Sequence, residues 1–158
     1  MIGIHHDDYA PLSGDPTFDV ESYELSVDYR VRTNRLAGRA VINAVAAVRT
    51  HSIALDLIGL RATRVRVDGE RTTAFQQGSR KLRINPGRTL EPGEHFSIEV
   101  LYAGSPRPRR SRWGAIGWEE LEDGVLVASQ PIGAPTWFPC NDRPDDRARY
   151  RISVTATV

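Results

Sequence analysis

Every second residue from Tyr23 to Val31 is apolar: Tyr23, Leu25, Val27, Tyr29 and Val31 alternate with Glu24, Ser26, Asp28 and Arg30. A side-chain period of two lays one face of an extended chain against a core and the other against water, which a helical period of 3.6 cannot do. The pattern recurs. Thr33-Asn34-Arg35 makes a turn, and a long second strand is expected from Leu36 to about Arg49, with Val41 and Val45 in one phase and Val48 out of step. Ile53, Leu55 and Leu57 alternate with Ser52, Ala54 and Asp56, and residues 60–67 close on Asp68-Gly69, a strong hairpin signal. Short strands follow near residues 73–75 and 81–84. Phe96, Ile98, Val100 and Tyr102 alternate, and so do Tyr150, Ile152, Val154, Ala156 and Val158. No segment sustains an apolar period of 3.6. The chain is therefore expected to be all-β, an antiparallel β-sandwich with little or no helix.

At 158 residues, 40% of them hydrophobic, the chain suits one domain with a real core. Residues 1–17 carry Pro11, Gly14 and Pro16 and are expected to form a flexible arm ahead of a domain spanning 18–158. Residues 103–117, with Gly104, Pro106, Pro108, Gly114 and Gly117, read as an irregular loop. No apolar run approaches the about 18 residues of a membrane span. The polar start lacks a secretion pattern, and the single cysteine, Cys140, cannot pair within the chain. A cytoplasmic location is expected.

Charge excludes a dominant polyanion-binding field, because 21 basic and 20 acidic side chains leave +1. Lys81 is the sole lysine, a bias read as that of a GC-rich genome. Arg107, Arg109, Arg110 and Arg112 could grip phosphate or RNA. They sit among Gly and Pro, with an acidic run at residues 119–123 just downstream, and the plainer reading is a solvated loop. No nucleic-acid or membrane partner is expected.

Catalytic candidates are few. The histidines are His5, His6, His51 and His95, and no HExxH pair places two imidazoles on one helix face. His5-His6-Asp7-Asp8 reads as a polar terminus rather than a metal site. No GxSxG elbow or phosphate-cradling glycine loop occurs. Cys140 lies in Trp137-Phe138-Pro139-Cys140, where a small buried thiol is the plain expectation.

Residues 126–150, LVASQPIGAPTWFPCNDRPDDRARY, are different in kind. They resemble the end of the N-terminal domain in the aminopeptidase N family of zinc metallopeptidases. That pattern has a Gln, a spacer, an aromatic, Phe-Pro-Cys-x-Asp-x-Pro, a polar stretch and an aromatic. Gln130, Trp137, Phe138-Pro139-Cys140, Asp142, Pro144, Arg147 and Tyr150 take those places. Tyr23-Glu24-Leu25, the residues 34–38 turn, Leu55-Asp56-Leu57 and Val67-Asp68-Gly69 match the same domain upstream.

The resemblance implies a saddle-shaped β-sandwich that packs on a thermolysin-like catalytic domain of the same polypeptide and roofs its cleft. The family's zinc ligands and substrate-amine motif belong to that following domain, so this chain alone is expected to be inactive and to hold no cofactor, with zinc in the parent enzyme. Gln130 takes the position that lines the pocket for the first side chain of a peptide substrate. Ile132 stands where many members place a Glu or Gln that holds the substrate's free amine. An aliphatic group cannot accept that hydrogen bond. Asp142 is expected to cap backbone amides of its own turn, and the aromatic and proline residues to be architectural. This reading predicts an exposed apolar patch where the catalytic domain docks. The alternative is a stand-alone protein- or peptide-binding module that has lost the peptidase domain, and it predicts a polar surface there.

Overall fold

The computed structural model describes residues 10–158. Among the described residues twelve strands form the fold: β1 (Phe18–Arg30), β2 (Arg35–Ala46), β3 (Ile53–Asp56), β4 (Arg61–Val67), β5 (Glu70–Thr72), β6 (Phe75–Gln77), β7 (Lys81–Ile84), β8 (His95–Gly104), β9 (Arg109–Ser111), β10 (Gly114–Glu120), β11 (Val125–Ala128) and β12 (Arg149–Thr157). The only helical elements among the described residues are two single 3-10 turns, Val31–Thr33 and Ala134–Thr136. The all-β expectation holds.

A six-stranded sheet runs β12-β1-β2-β8-β4-β5, and two three-stranded sheets run β3-β7-β6 and β11-β10-β9. The alternating residues Tyr23, Leu25, Val27 and Tyr29 face inward from β1, as do Leu36, Ala40, Ile42 and Ala44 from β2 and Phe96, Ile98, Val100 and Tyr102 from β8. They share one core with Ile53, Leu55, Leu82 and Ile84 of the opposing β3-β7-β6 sheet. Within the large sheet Gly38 of β2 stands opposite Tyr102 of β8, whose ring lies over it: a Cβ on Gly38 would lie 2.2 Å from the ring carbon Cζ. A β2 residue with any side chain would displace that ring.

Four local expectations are corrected. The sheet is antiparallel except for β1 and β12, which pair in parallel from Ser22↔Arg149 to Arg30↔Thr157. β12 follows the long 129–148 connection and so enters from the same end as β1. β12 is also exposed along its whole length, although its apolar alternation predicts a half-buried strand. Its Tyr150, Ile152 and Val154 stand in register with Tyr23, Leu25 and Val27, but the covering layer stops at β1. The expected loop at 103–117 contains a hairpin, with Arg109 opposite Ile116 and Ser111 opposite Gly114. Finally, β3 is buried on both faces.

That last burial comes from two segments folded over β3. Cys140 bridges Asp56 through paired backbone hydrogen bonds of 2.7 and 3.0 Å. Asp15 is buried and accepts the Ala54 N–H at 2.9 Å, so residues 14–17 are tied to the body although they fall within the expected arm. The rest of that arm through residue 9, with His5, His6, Asp7 and Asp8, lies outside the described residues.

Candidate functional site

The 129–142 segment packs against β3 and β10, held by backbone bonds at Cys140 and Pro135 and by its own side chains. Thr136 Oγ1 donates to Gly133 O at 2.7 Å and accepts the Trp118 N–H at 3.0 Å, locking the turn to β10. Gly117 allows this approach: its φ is +109°, and a Cβ there would lie 2.4 Å from Thr136 Oγ1. Trp137 Nε1 donates to Ser129 Oγ at 3.2 Å. Phe138 packs edge-on to Tyr23 at 5.6 Å, and Tyr150 stacks on Tyr23 at 4.9 Å. The architectural role expected of the aromatics is the one they have.

This frame fixes the two residues singled out from sequence. Gln130 precedes Pro131 through a cis peptide bond and is exposed, with no hydrogen bond to its amide among the described residues. Ile132 is buried, and its carbonyl accepts a hydrogen bond from Arg109 Nη1 at 3.3 Å. The two are therefore close in the chain but differ in exposure.

Behind the segment lies a buried polar cluster. Asp56 pairs with Lys81 Nζ at 2.6 Å and accepts the N–H groups of Gly14 at 2.8 Å and Asp142 at 3.0 Å. Asn141 was missed from sequence. Its Oδ1 accepts the Asp15 N–H at 2.7 Å, and its Nδ2 donates to Asp15 O, Phe18 O and Asp146 Oδ2, each at 3.1 Å. Its own N–H donates to Tyr23 Oη at 2.9 Å. The signal was an Asn flanked by Cys and Asp in an ordered irregular segment. A primary amide can donate and accept at once, and so can tie distant strands together, as a carboxylate cannot.

Asp142 does not cap its turn as expected. Its Oδ2 is buried without a hydrogen-bond partner among the described residues. Burial, then the Asp56 carboxylate, pushes its pKa up to about 7, against the opposing pull of Arg109 and Lys81. Asp146 is raised to about 6, chiefly by burial. A carboxyl whose folded pKa is raised binds its proton more tightly folded than unfolded, so its contribution is fully present below the unfolded value and lost as pH rises through about 7. Stability is expected to fall by on the order of 2 kcal/mol between pH 5 and pH 8. Asp142→Asn should remove most of that slope in urea unfolding at the two pH values. An unchanged slope would locate the titration elsewhere. Cys140 is buried, and burial raises its thiol well above the ordinary value, followed by the Asp142 and Asp56 charges. Such a thiol is no nucleophile.

On the other side of Ile132 a cavity of about 360 Å³ is lined by Arg80, Arg109, Arg110, Arg112 and Trp113. Arg109 is half-buried, and its pKa is lowered first by burial and then by Arg80. Among the described residues no group of three or more His, Cys, Asp or Glu side chains is placed to hold a metal ion. None of their helices is long and apolar enough to cross a membrane.

A family model described as the peptidase M1 N-terminal domain matches residues 19–157. The chain belongs to this family. Its resemblance to metallopeptidases extends to solved structures. An M1 zinc metallopeptidase from Deinococcus radiodurans is 28% identical with a TM-score of 0.86, over 92% of this chain and 34% of that one. A mutant of that enzyme bound to a Tyr-Ser-Ala substrate gives 0.85 over the same shares. Among curated proteins, a leucyl aminopeptidase of Saccharolobus solfataricus is 25% identical over 139 residues, 85% of this chain and 16% of that protein. The M1 N-terminal domain described here thus spans about a third of the length of its solved relatives and about a sixth of the curated one.

Proposed function

We propose that this M1 domain is the non-catalytic N-terminal part of a zinc-dependent aminopeptidase, packing on a following catalytic domain and lining the cleft where peptides lose their N-terminal residues. The observation that carries the reading is the exposed apolar row of Tyr150, Ile152 and Val154 on β12, with exposed Val158 just past its end. It continues the inner face of the large sheet beyond its own cover. A contiguous apolar row of this kind marks an interface. A stand-alone module would present a polar face here.

In this reading Gln130, exposed at the end of the 129–137 segment, lines the pocket for the first side chain of the peptide. Ile132 offers that pocket no acceptor for the peptide's amine, so the amine is held by carboxylates of the catalytic domain. Zinc bound in that domain would supply Lewis-acid activation of water. The contribution of this chain is to wall the cleft and position the peptide. A cytoplasmic location belongs to the same proposal, supported by the single unpaired cysteine.

The first test is the mass of the native polypeptide in its source organism, detected with an antibody to this domain. A band several times larger than 17.6 kDa is expected. The purified protein should release N-terminal residues from peptides, lose that activity to a chelator and regain it with zinc. A native chain of 17.6 kDa with no peptidase bound to it would overturn the proposal.

A further inference from the structure

Strand β11 leaves one edge bare. Among the described residues it pairs only with β10, from Gly117↔Ala128 to Glu120↔Val125. The Leu121 N–H donates to Gly124 O at 3.0 Å and sets the phase of that ladder. Hydrogen-bonded and non-hydrogen-bonded positions alternate in an antiparallel pair. Leu126 and Ala128 therefore bond across to Glu119 and Gly117, while Val125 and Val127 turn their N–H and C=O groups away from β10. The Trp118 N–H, opposite Val127, is likewise turned away from β11 and donates to Thr136 Oγ1 at 3.0 Å. Ser129 is next in the outward phase, and its carbonyl is closed off by the Gly133 N–H. The open part of the edge runs from Val125 to Val127.

Open edges are ordinarily guarded by charge or proline. Two other edge strands follow that rule, since β5 reads Glu-Arg-Thr and β9 Arg-Arg-Ser. β11 reads Val-Leu-Val-Ala, without charge or proline, and its Leu126 and Val127 are exposed on opposite faces. Leu121, at the mouth of the same hairpin, is exposed too. A strand apolar on both faces and bare along its edge calls for permanent cover, because a passing peptide would leave it open to self-association between visits.

The course of the chain brings such cover within reach. Ala156, near the end of β12, stands in register beside Tyr29. The Tyr29 ring meets the Trp118 ring at 4.9 Å between centroids, and Trp118 stands opposite Val127. β12 thus ends on the side of the fold that carries β11. A connection of about eight residues, at about 3.3 Å each, spans the distance.

We propose that a β-strand from the polypeptide following Val158 adds to the open edge of β11 at Val125 and Val127 and makes the β11-β10-β9 sheet four-stranded. This rests on the reading that the remainder of a peptidase follows this domain. Because β11 leads directly into residues 129–137, the added strand anchors the segment that carries Gln130 to the rest of the enzyme.

The test is hydrogen exchange of the longer native polypeptide, read at single amides. Val125 and Val127 are expected to exchange at least a hundredfold more slowly than an unprotected chain, as slowly as Leu126 and Ala128, which bond to β10. Fast exchange at Val125 and Val127 beside slow exchange at Leu126 and Ala128 would overturn the proposal. So would protection of β12 with β11 left bare, which would send the following strand to the other edge. Protection of β11 that rises with the concentration of the 158-residue chain would assign the edge to a second copy instead, and protection that appears only with added peptide would assign it to substrate. A second measurement separates strand addition from side-chain packing. With the polypeptide divided after Val158 and its halves expressed together, V125P/V127P removes the two outward donors and leaves the bonds to β10 in place. It should weaken association at least tenfold. V125A/V127A trims the side chains but keeps both donors, and should weaken association less than threefold. Equal loss in the two variants would overturn strand addition. A chelator-sensitive peptidase with a bare β11 would remove this inference alone, and a protected β11 in a polypeptide without peptidase activity would remove the proposed function alone.

Discussion

Replacing Lys81 by Met is expected to destabilise the domain by about 3 kcal/mol, the low end of the range for removing one partner of a buried ion pair. The Asp56 side chain is 5% exposed and that of Lys81 19%, so the carboxylate is sealed and the ammonium only partly so. Without Lys81 the Asp56 charge keeps two backbone N–H donors, from Gly14 and Asp142, but loses its only counter-ion among the described residues. Lys81 Nζ also donates to Gly14 O at 2.8 Å, so the substitution strands a carbonyl as well. Removing both charges in D56N/K81M should recover most of the loss, because a neutral amide no longer needs a counter-ion. Arginine is a poor replacement. Its planar fork does not reproduce a compact ammonium that bridges one carboxylate and one carbonyl. Urea unfolding of K81M, D56N/K81M and K81R checks the ordering. A double variant as unstable as K81M would show that the pair contributes by packing rather than by charge. Because Asp56 joins residues 14, 56 and 142, hydrogen exchange in K81M should rise first in the 129–142 segment that carries Gln130.

The lone lysine was visible in the sequence and read only as genome composition. Its meaning depends on a contact between residues 25 positions apart, which alternation and turn signals cannot register. Strands were legible for the opposite reason. In β1, β2 and β8 the period-two pattern is set by one wet and one dry face, a local property of the chain. β3 and β12 show where that logic ends. In β3 the polar phase, Asp56 included, is covered by segments arriving from residues 10–17 and 138–142. In β12 the apolar phase is real but its cover is missing among the described residues. The same limit applies to the candidate site. The Phe-Pro-Cys-Asn-Asp block marked an ordered irregular segment, yet the sequence holds no sign that the Asn141 rather than the Asp142 side chain makes its long-range hydrogen bonds. Nor did it bring Arg80 to the Arg109–Arg112 hairpin, since that convergence comes from the packing of two sheets.

The largest effect on function is expected from I152D/V154D in the longer polypeptide that the proposed function requires. Both side chains are exposed in this domain, 48% and 62%, so the substitutions should change its own stability by no more than about 0.5 kcal/mol. Their effect should appear only where the face is covered. Burying an Ile and a Val side chain is worth about 1.5–3 kcal/mol each, and an unpaired carboxylate buried in their place adds a further penalty. With the polypeptide divided after Val158 and its halves expressed together, the substitutions should weaken association by at least about a hundredfold, some 2.7 kcal/mol at 1.36 kcal/mol per factor of ten. Peptidase activity of the pair should fall with it. Ser153 and Thr155 alternate with these residues on the opposite face of β12, so S153D/T155D adds the same charges to the same edge strand and should leave association unchanged. Equal loss in both variants would mean that added negative charge, not the apolar face, disrupts docking. Undiminished association in I152D/V154D would remove the apolar row from the interface, and with it the observation on which the proposed function stands.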